Sequence, residues 1–169
     1  MNSALAALLL QTLVHTTGPA APATVEPSAN PESRAYFADR NAQQDVENAL
    51  ASAKVSGKTV IVIMGANWCH DSIGLAGRLE SPRFTQMMRD KYAIIYVDTG
   101  TPQTGNGRNL DIAKRFGIKK VKSTPLVMLI SADGKLLNSK KDAASWRNAS
   151  VRSQDDIYRY FAEFKPAGT

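Results

Sequence analysis

The stretch Val60-Ile-Val-Ile-Met-Gly-Ala-Asn-Trp-Cys-His-Asp-Ser72 decides the fold of this 169-residue chain. Its continuous apolar run, rich in β-branched residues, predicts a strand buried on both faces. A short turn follows at 65–68, and the residues from Ser72 onward have helical spacing. Cys69, the only cysteine in the chain, is therefore predicted where a buried strand ends and a helix begins. The unpaired N–H groups of a first helical turn favour a thiolate at such a position.

Two later motifs follow this stretch in a fixed order. Ser123-Thr-Pro-Leu-Val-Met-Leu-Ile130 is an apolar strand that begins with Thr-Pro, and Asp133-Gly134 is a hairpin turn. Together with Trp-Cys-x-x-Ser, these motifs resemble the thioredoxin superfamily over roughly Asp45 to Phe164. The resemblance implies that Pro125 is the superfamily's cis-proline and that it lies against Cys69.

The rest of the pattern completes a mixed α/β fold. Strands are predicted at 59–64 and 93–97, parallel to each other, and at 125–130 and 135–138, antiparallel to each other. Helices are predicted at 45–53, 72–80, from Ser81-Pro82 onward, at 110–116 with Asn109 as the cap, and after a capping box at Ser153 and Asp156. Residues 99–108 are predicted to be a flexible loop and residues 139–150 a polar stretch. The fold class is the thioredoxin-like three-layer α/β fold, with a mixed central sheet and helices on both faces.

Two residues depart from the usual pattern of the superfamily. Ser72 stands where the second, resolving cysteine would be, and Ile63 stands where many thioredoxins carry a buried aspartate that moves protons. The chain therefore cannot form an internal disulfide, and dithiol oxidoreduction is not open to it alone. A single cysteine can still form mixed disulfides that an outside thiol must resolve.

The residues around the cysteine have distinct expected roles. Cys69 is the candidate nucleophile, and the Ser72 hydroxyl is expected to donate a hydrogen bond to its thiolate. Trp68 is expected to shield one side of the thiol. His70 is either a supporting cation beside the thiol or a residue of the helix start. The resemblance implies that Thr124 and Pro125 shape a substrate groove, where an extended peptide pairs with the Thr124 backbone.

The N-terminal segment of the chain predicts export. Residues 1–23 carry an apolar block followed by Ala21-Pro-Ala23 and read as a secretory signal peptide. Residues 24–38 are interpreted as a linker and residues 39–166 as the thioredoxin-like domain. The expected location is the periplasm or another exported compartment, with no integral membrane span after processing. A frayed Ala-rich tail and an uncleaved helical anchor are the alternatives for the N-terminus.

The net charge is +6, and basic residues cluster around Lys119, Lys120 and Lys122. Such a patch could attract an anionic partner, but an ordinary solvated, slightly basic surface is the preferred interpretation. No nucleic-acid motif accompanies the patch, so nucleic acid is not an expected partner. No metal site is expected, because one cysteine and one adjacent histidine cannot complete a tetrahedral set. No cofactor is expected beyond an external thiol such as glutathione.

Two functions fit these features. The first is an exported monothiol protein that exchanges thiols and disulfides through Cys69, with isomerase-like or deglutathionylation-like chemistry. Its partners are a cysteine-containing protein or a low-molecular-weight thiol. The alternative is a redox-inactive module with a thioredoxin fold, which binds proteins through the groove or the basic patch. The sequence leaves open the oligomeric state and whether the chain is an enzyme.

Overall fold

The computed structural model describes residues 32–165. Within them, a three-stranded mixed sheet carries helices on both faces, which confirms the predicted fold class. The helices and strands, in chain order, are α1 (Ala42–Ser56), β1 (Thr59–Gly65), α2 (His70–Glu80), α3 (Pro82–Lys91), β2 (Tyr92–Asp98), β3 (Gly100–Thr101), β4 (Asn106–Gly107), α4 (Leu110–Arg115), β5 (Leu126–Ile130), α5 (Lys140–Ser145) and α6 (Gln154–Glu163). The predicted signal peptide (1–23) and the first part of the predicted linker (24–31) lie outside the described residues.

Strand β1 is the centre of the sheet. It pairs in parallel with β2 and antiparallel with β5, in the order β2-β1-β5. Helices α2 and α3 form the crossover between the two parallel strands. Since a parallel crossover carries the chain back across one face of the sheet, the carboxyl ends of β1 and β2 meet at one edge. Gly65 lies opposite Asp98 there.

Both faces of β1 are covered, which explains its continuous apolar sequence. Val60, Val62 and Met64 belong to a core shared with α1 and α4. Ile61 and Ile63 belong to a second core shared with α2, α3 and α6. Successive side chains of a strand point to opposite faces, so all five are fully buried. Each such side chain contributes about 1.5–3 kcal/mol relative to an exposed one.

Several predicted helix boundaries are confirmed. Helix α1 ends at Gly57, which adopts a φ of 72° that favours glycine. Pro82 begins α3 directly after Ser81. The Ser153 hydroxyl accepts a hydrogen bond from the Asp156 backbone N–H at 3.0 Å and so caps α6.

Asn109 is the N-cap residue of α4, as predicted, but its side chain makes no capping bond. It precedes the helix with a φ of 56°. Its Nδ2 instead donates to the carbonyl of Asp98 at 2.9 Å. Asparagine tolerates the left-handed conformation, so here it ties the start of α4 to the end of β2.

Two segments contain more regular structure than the sequence predicts. Residues 99–108, expected to be a flexible loop, form the hairpin β3–β4 around a short 3-10 helix at Pro102–Thr104. Residues 139–150 form α5 and part of the 3-10 helix Trp146–Val151, with Trp146 fully buried. The polar composition of both segments gave no local signal for regular structure. Their helices and strands depend on packing against the rest of the domain rather than on local propensity.

The predicted strand at 135–138 is reduced to a single bridge between Ile130 and Leu136. The side chain of Asn138 takes over the pairing beyond it. Its Oδ1 accepts from the Leu129 N–H and its Nδ2 donates to the Val127 carbonyl, both at 3.0 Å. A side-chain amide thus satisfies the backbone of β5, which stands at the edge of the sheet.

The packed domain begins before residue 39, where the sequence analysis placed its start. Tyr36 is only 2% exposed and lies in the same core as Ile61 and Ile63. Its backbone N–H donates to Asn67 Oδ1 at 3.2 Å, and Asn67 Nδ2 donates to its carbonyl at 2.7 Å. At least the last part of the predicted linker therefore belongs to the domain.

Candidate active site

Cys69 lies at the predicted junction of strand and helix. It is the N-cap residue of α2 and has extended backbone angles, with φ −94° and ψ 112°. Its carbonyl accepts from the N–H groups of Ser72 and Ile73 at 3.0 and 3.1 Å. Its side chain makes no capping bond and is partly exposed. A half-exposed thiol at the start of an 11-residue helix lies in the positive field of that helix.

The thiol faces the segment that leads into β5. Cys69 Sγ donates to the carbonyl of Thr124 at 3.5 Å, across 55 residues of sequence. The bond between Thr124 and Pro125 is cis. Thr124 is buried, so its position is held by the domain rather than by the thiol. The structure therefore brings together Cys69, Thr124 and Pro125, as the resemblance implies.

Trp68 forms an exposed wall beside the thiol. It is 55% exposed, although it is one of the largest apolar side chains in the chain. Its Nε1–H donates to the carbonyl of Gly100 at 3.0 Å. Hairpin β3–β4 thus holds the indole in place while leaving much of its surface open to solvent. An aromatic surface beside a nucleophile is a suitable platform for a substrate side chain.

Ser72 does not make the bond expected of it. Its side chain is completely buried, and its Oγ has no hydrogen-bond partner among the described residues. The bond that links it to Cys69 runs through the backbone N–H instead. A buried hydroxyl without a partner costs about 1–3 kcal/mol.

Tyr36 is a site residue that the sequence analysis missed. Its Oη donates to the carbonyl of Ser72 at 3.3 Å, and its ring packs edge-to-face on Tyr96 at 5.6 Å. Burial, with smaller contributions from Tyr96 and Cys69, raises the pKa of Tyr36 well above its ordinary value. The hydroxyl therefore stays protonated. An aromatic residue in an otherwise Pro-, Ala- and Ser-rich stretch was the signal that could have found it.

Gly65 allows Tyr36 and Ser72 to pack closely behind the thiol, because it has no side chain. A Cβ placed on Gly65 would lie 2.6 Å from the Tyr36 ring and 2.7 Å from Ser72 Oγ. Real Cβ atoms do not approach other atoms so closely, so only glycine fits without a shift of its neighbours. The end of β1, the start of α2 and the Tyr36 segment are therefore packed against one another behind the thiol.

The two polar residues after Cys69 have other partners. His70 is exposed, and its Nε2 lies 3.8 Å from the carboxylate of Glu32. Asp71 accepts from the Ser150 backbone N–H at 2.6 Å and so joins α2 to the 3-10 helix at 146–151. Asp71 thus links two elements of the domain.

Between residues 32 and 165, no group of three or more His, Cys, Asp or Glu side chains is placed to hold a metal ion. Over the same residues, no helix is both long and apolar enough to span a membrane.

The chain is similar in sequence and structure to known proteins. A family model described as thioredoxin-like matches residues 41–132, which is more than half of the chain. A search of curated proteins finds no match. Among solved structures, a disulphide isomerase from Xylella fastidiosa Temecula1 is similar, with 27% sequence identity and a TM-score of 0.69. That similarity covers 78% of this chain and 96% of the isomerase chain.

Proposed function

The chain belongs to the thioredoxin-like family, and we propose that it performs thiol–disulfide exchange through Cys69 alone. The observation that carries this proposal is the position of the thiol, half-exposed at the N-cap of α2 and 3.5 Å from the Thr124 carbonyl. The similarity to a disulphide isomerase supports this type of chemistry. The finer proposal is isomerisation of protein disulfides, with deglutathionylation as the second use of the same step.

The reaction balances without a second cysteine. The Cys69 thiolate attacks one sulfur of a substrate disulfide, a Cys69–substrate disulfide forms, and the other substrate sulfur leaves as a thiolate with the bonding electron pair. That thiolate attacks another disulfide of the substrate. A substrate thiolate then attacks the mixed disulfide and releases Cys69. No net oxidation occurs, so isomerisation needs no external oxidant.

Deglutathionylation begins with the same attack by the Cys69 thiolate, but a different thiol releases Cys69 at the end. The Cys69 thiolate attacks the glutathione sulfur of a glutathionylated protein, and the protein thiolate leaves. Free glutathione then attacks the Cys69–glutathione disulfide, which produces oxidised glutathione and restores Cys69. Here the external thiol does the work of the missing resolving cysteine.

The surrounding residues have complementary parts in forming the thiolate. The neutral thiol donates to the Thr124 carbonyl, but a thiolate has no proton to donate and is repelled by that oxygen. The positive end of α2 is the source of stabilisation for the thiolate. Ser72 lies three residues after Cys69, and we propose that its hydroxyl rotates toward the sulfur when the thiol ionises.

The proposal also includes export of the protein. A signal peptide at residues 1–23 would deliver the chain to the periplasm or another oxidising compartment, where protein disulfides form and persist. The substrate in that compartment is a cysteine-containing protein, and the resolving thiol comes from that protein or from a small molecule.

Refolding of a scrambled test protein with several disulfides tests the proposal. The purified protein should restore the native disulfides of the test protein, and Cys69→Ser should have no activity above buffer. Ser72→Ala should retain part of the activity and slow the attack step. Equal activity of Cys69→Ser and wild type would reject exchange through Cys69. It would favour instead a redox-inactive protein-binding module, for which the exposed lysines near Thr124 are the supporting feature.

A further inference from the structure

A cleft lined by lysine side chains lies beside the active site. Its volume is about 490 Å³, and it lies between hairpin β3–β4, α4 and the segment that leads to Thr124. All four of its lysines are exposed: Lys114, Lys119, Lys120 and Lys122. We call this feature the lysine cleft. Its lining contains no acidic side chain.

Acidic residues on the neighbouring elements contact groups other than the four lysines. Asp98 forms an ion pair with Arg108 at 3.0 Å, and Glu47 pairs with Arg115. Asp111 accepts a hydrogen bond from the neutral amide of Gln43 and so keeps its own negative charge. Within residues 32–165, none of the four lysines has an ion pair or hydrogen bond. Four positive charges in one concave surface therefore repel one another, and an anionic ligand would relieve that repulsion.

The lysine cleft is close to the thiol by two routes. On one side, hairpin β3–β4 forms a wall of the cleft and also holds Trp68 through the Gly100 carbonyl. On the other side, Lys122 precedes Thr124 by two residues, and Thr124 contacts Cys69. Two extended residues span at most about 7 Å. A chain bound at Cys69 therefore reaches the cleft within a few residues.

We propose that the lysine cleft binds acidic residues of a cysteine-bearing protein substrate and so selects which disulfides Cys69 attacks. The proposal names the substrate class of the proposed exchange reaction and rests on it. With about 3.3 Å per extended residue, the acidic residues lie about two to five positions from the reactive cysteine. The half-buried side chains of Leu110 and Val121 add an apolar surface inside the cleft. A concave surface with apolar walls suits a peptide better than a flat membrane or a nucleic-acid duplex.

Activated peptides test this selection directly. Each peptide carries one cysteine in a disulfide with thionitrobenzoate, followed three residues later by Asp-Asp, Asn-Asn or Lys-Lys. The Cys69 thiolate attacks the peptide sulfur, a Cys69–peptide disulfide forms, and the coloured thionitrobenzoate leaves as a thiolate. At low ionic strength the Asp-Asp peptide should react about tenfold faster than the Asn-Asn peptide. The Lys-Lys peptide should be the slowest, and added salt should reduce all differences.

A pair of charge reversals separates the cleft from the overall charge. The variant Lys120→Glu/Lys122→Glu should lose the preference for Asp-Asp. The control Lys54→Glu/Lys141→Glu has the same net charge but alters exposed lysines outside the cleft, and it should keep the preference. Equal losses in both variants would overturn the proposal, because long-range steering would then explain the effect. Binding of anionic vesicles through Lys120 and Lys122 without any peptide preference would also overturn it.

The Asn-Asn peptide distinguishes failure of thiol exchange through Cys69 from failure of acidic selection by the lysine cleft. If wild type reacts with the Asn-Asn peptide but shows no preference for Asp-Asp, thiol exchange stands and acidic selection fails. If Cys69 reacts with none of the peptides in the folded protein, both proposals fail.

Discussion

The aromatic cluster around Trp146 and the site around Cys69 make a useful comparison, because both pack against the same side of the sheet. In the cluster, Trp146 stacks on Phe161 at 5.3 Å and meets Tyr160 edge-to-face at 4.8 Å. Trp146 and Phe161 are fully buried. At the site, by contrast, Trp68 is 55% exposed and the Cys69 thiol is partly exposed. The side chains of the aromatic cluster are packed against one another and away from solvent. The site around Cys69 leaves side chains accessible to a substrate.

This difference teaches that stability and reactivity should respond to different substitutions. A change in the aromatic cluster removes buried contacts that hold the domain together. A change at the thiol removes little buried surface but removes the reacting atom. Substitutions in the buried packing directly behind the thiol, at Gly65 and Ser72, should affect both properties.

The largest expected effect is the loss of exchange in Cys69→Ser. The variant should form no mixed disulfide with oxidised glutathione, measured by mass spectrometry. Its free energy of unfolding should change by about 0.5 kcal/mol or less, because the thiol is half-exposed and nearly the same size as a hydroxyl. A large loss of stability would contradict the comparison, since the thiol would then be part of the packed core.

Phe161→Ala should have the opposite profile. Removal of a fully buried aromatic ring should lower the free energy of unfolding by about 3–5 kcal/mol, measured in urea. The folded fraction should still react with oxidised glutathione at the wild-type rate. Val151→Ala is the matched control, because Val151 is 82% exposed and its loss should change stability by less than about 0.5 kcal/mol. If the thiol of folded Phe161→Ala reacted more slowly than that of wild type, the aromatic cluster would also control reactivity, and the two regions would not be independent.

Gly65→Ala should affect both properties to an intermediate degree. The new methyl group would displace the Tyr36 ring or the Ser72 hydroxyl, at a cost of about 1–3 kcal/mol. The rate of Cys69 modification should fall as the start of α2 shifts. Gly74→Ala is the control, because a Cβ at Gly74 meets nothing within 4 Å and alanine stabilises a helix interior by about 1 kcal/mol. Stabilisation by Gly65→Ala would show that the packing behind the thiol is looser than described.

The smallest expected effect is a pH-dependent one in the aromatic region. Tyr92 Oη donates to the Phe161 carbonyl at 2.7 Å, and burial raises the pKa of Tyr92 from 10.0 to about 12. A raised folded-state pKa stabilises the fold fully below the unfolded value and loses that effect as the pH rises through the folded value. Because of that hydrogen bond, Tyr92→Phe should be less stable than wild type at neutral pH, by about 1 kcal/mol. Above pH 10 wild type should lose this advantage in alkaline urea titrations and become the less stable protein before about pH 12, because a pKa shift of about two units costs it about 2.7 kcal/mol in total. A constant difference over that range would contradict it.

Much of the fold was predictable because local signals agreed with the tertiary structure. The apolar run 60–64, the Ser81-Pro82 break and the Ser153 cap each have one physical interpretation, and the structure agrees with all three. The buried Trp146 and the hairpin β3–β4 were not predictable in the same way. Their segments are polar or rich in Gly and Pro, and only long-range packing orders them.

The candidate site was predictable in part for a related reason. Cys69 and Trp68 are marked by the junction of strand and helix, and Thr124 and Pro125 by the resemblance. Tyr36 was not predicted, because it reaches the site across 36 residues of sequence through its contact with Ser72. The hydrogen bond expected from Ser72 to the thiol is absent from the structure, since spacing on a helix fixes the face of a residue but not its hydrogen-bond partner.

The most direct test of the account compares Cys69 in the folded protein with Cys69 in the same chain unfolded in urea. The measured quantity is the second-order rate of mixed-disulfide formation with oxidised glutathione at one pH and one ionic strength. The account predicts that the folded protein reacts about threefold faster or more, because the first turn of α2 stabilises the thiolate. A thiol that reacts more slowly in the folded protein, or only after unfolding, would contradict it.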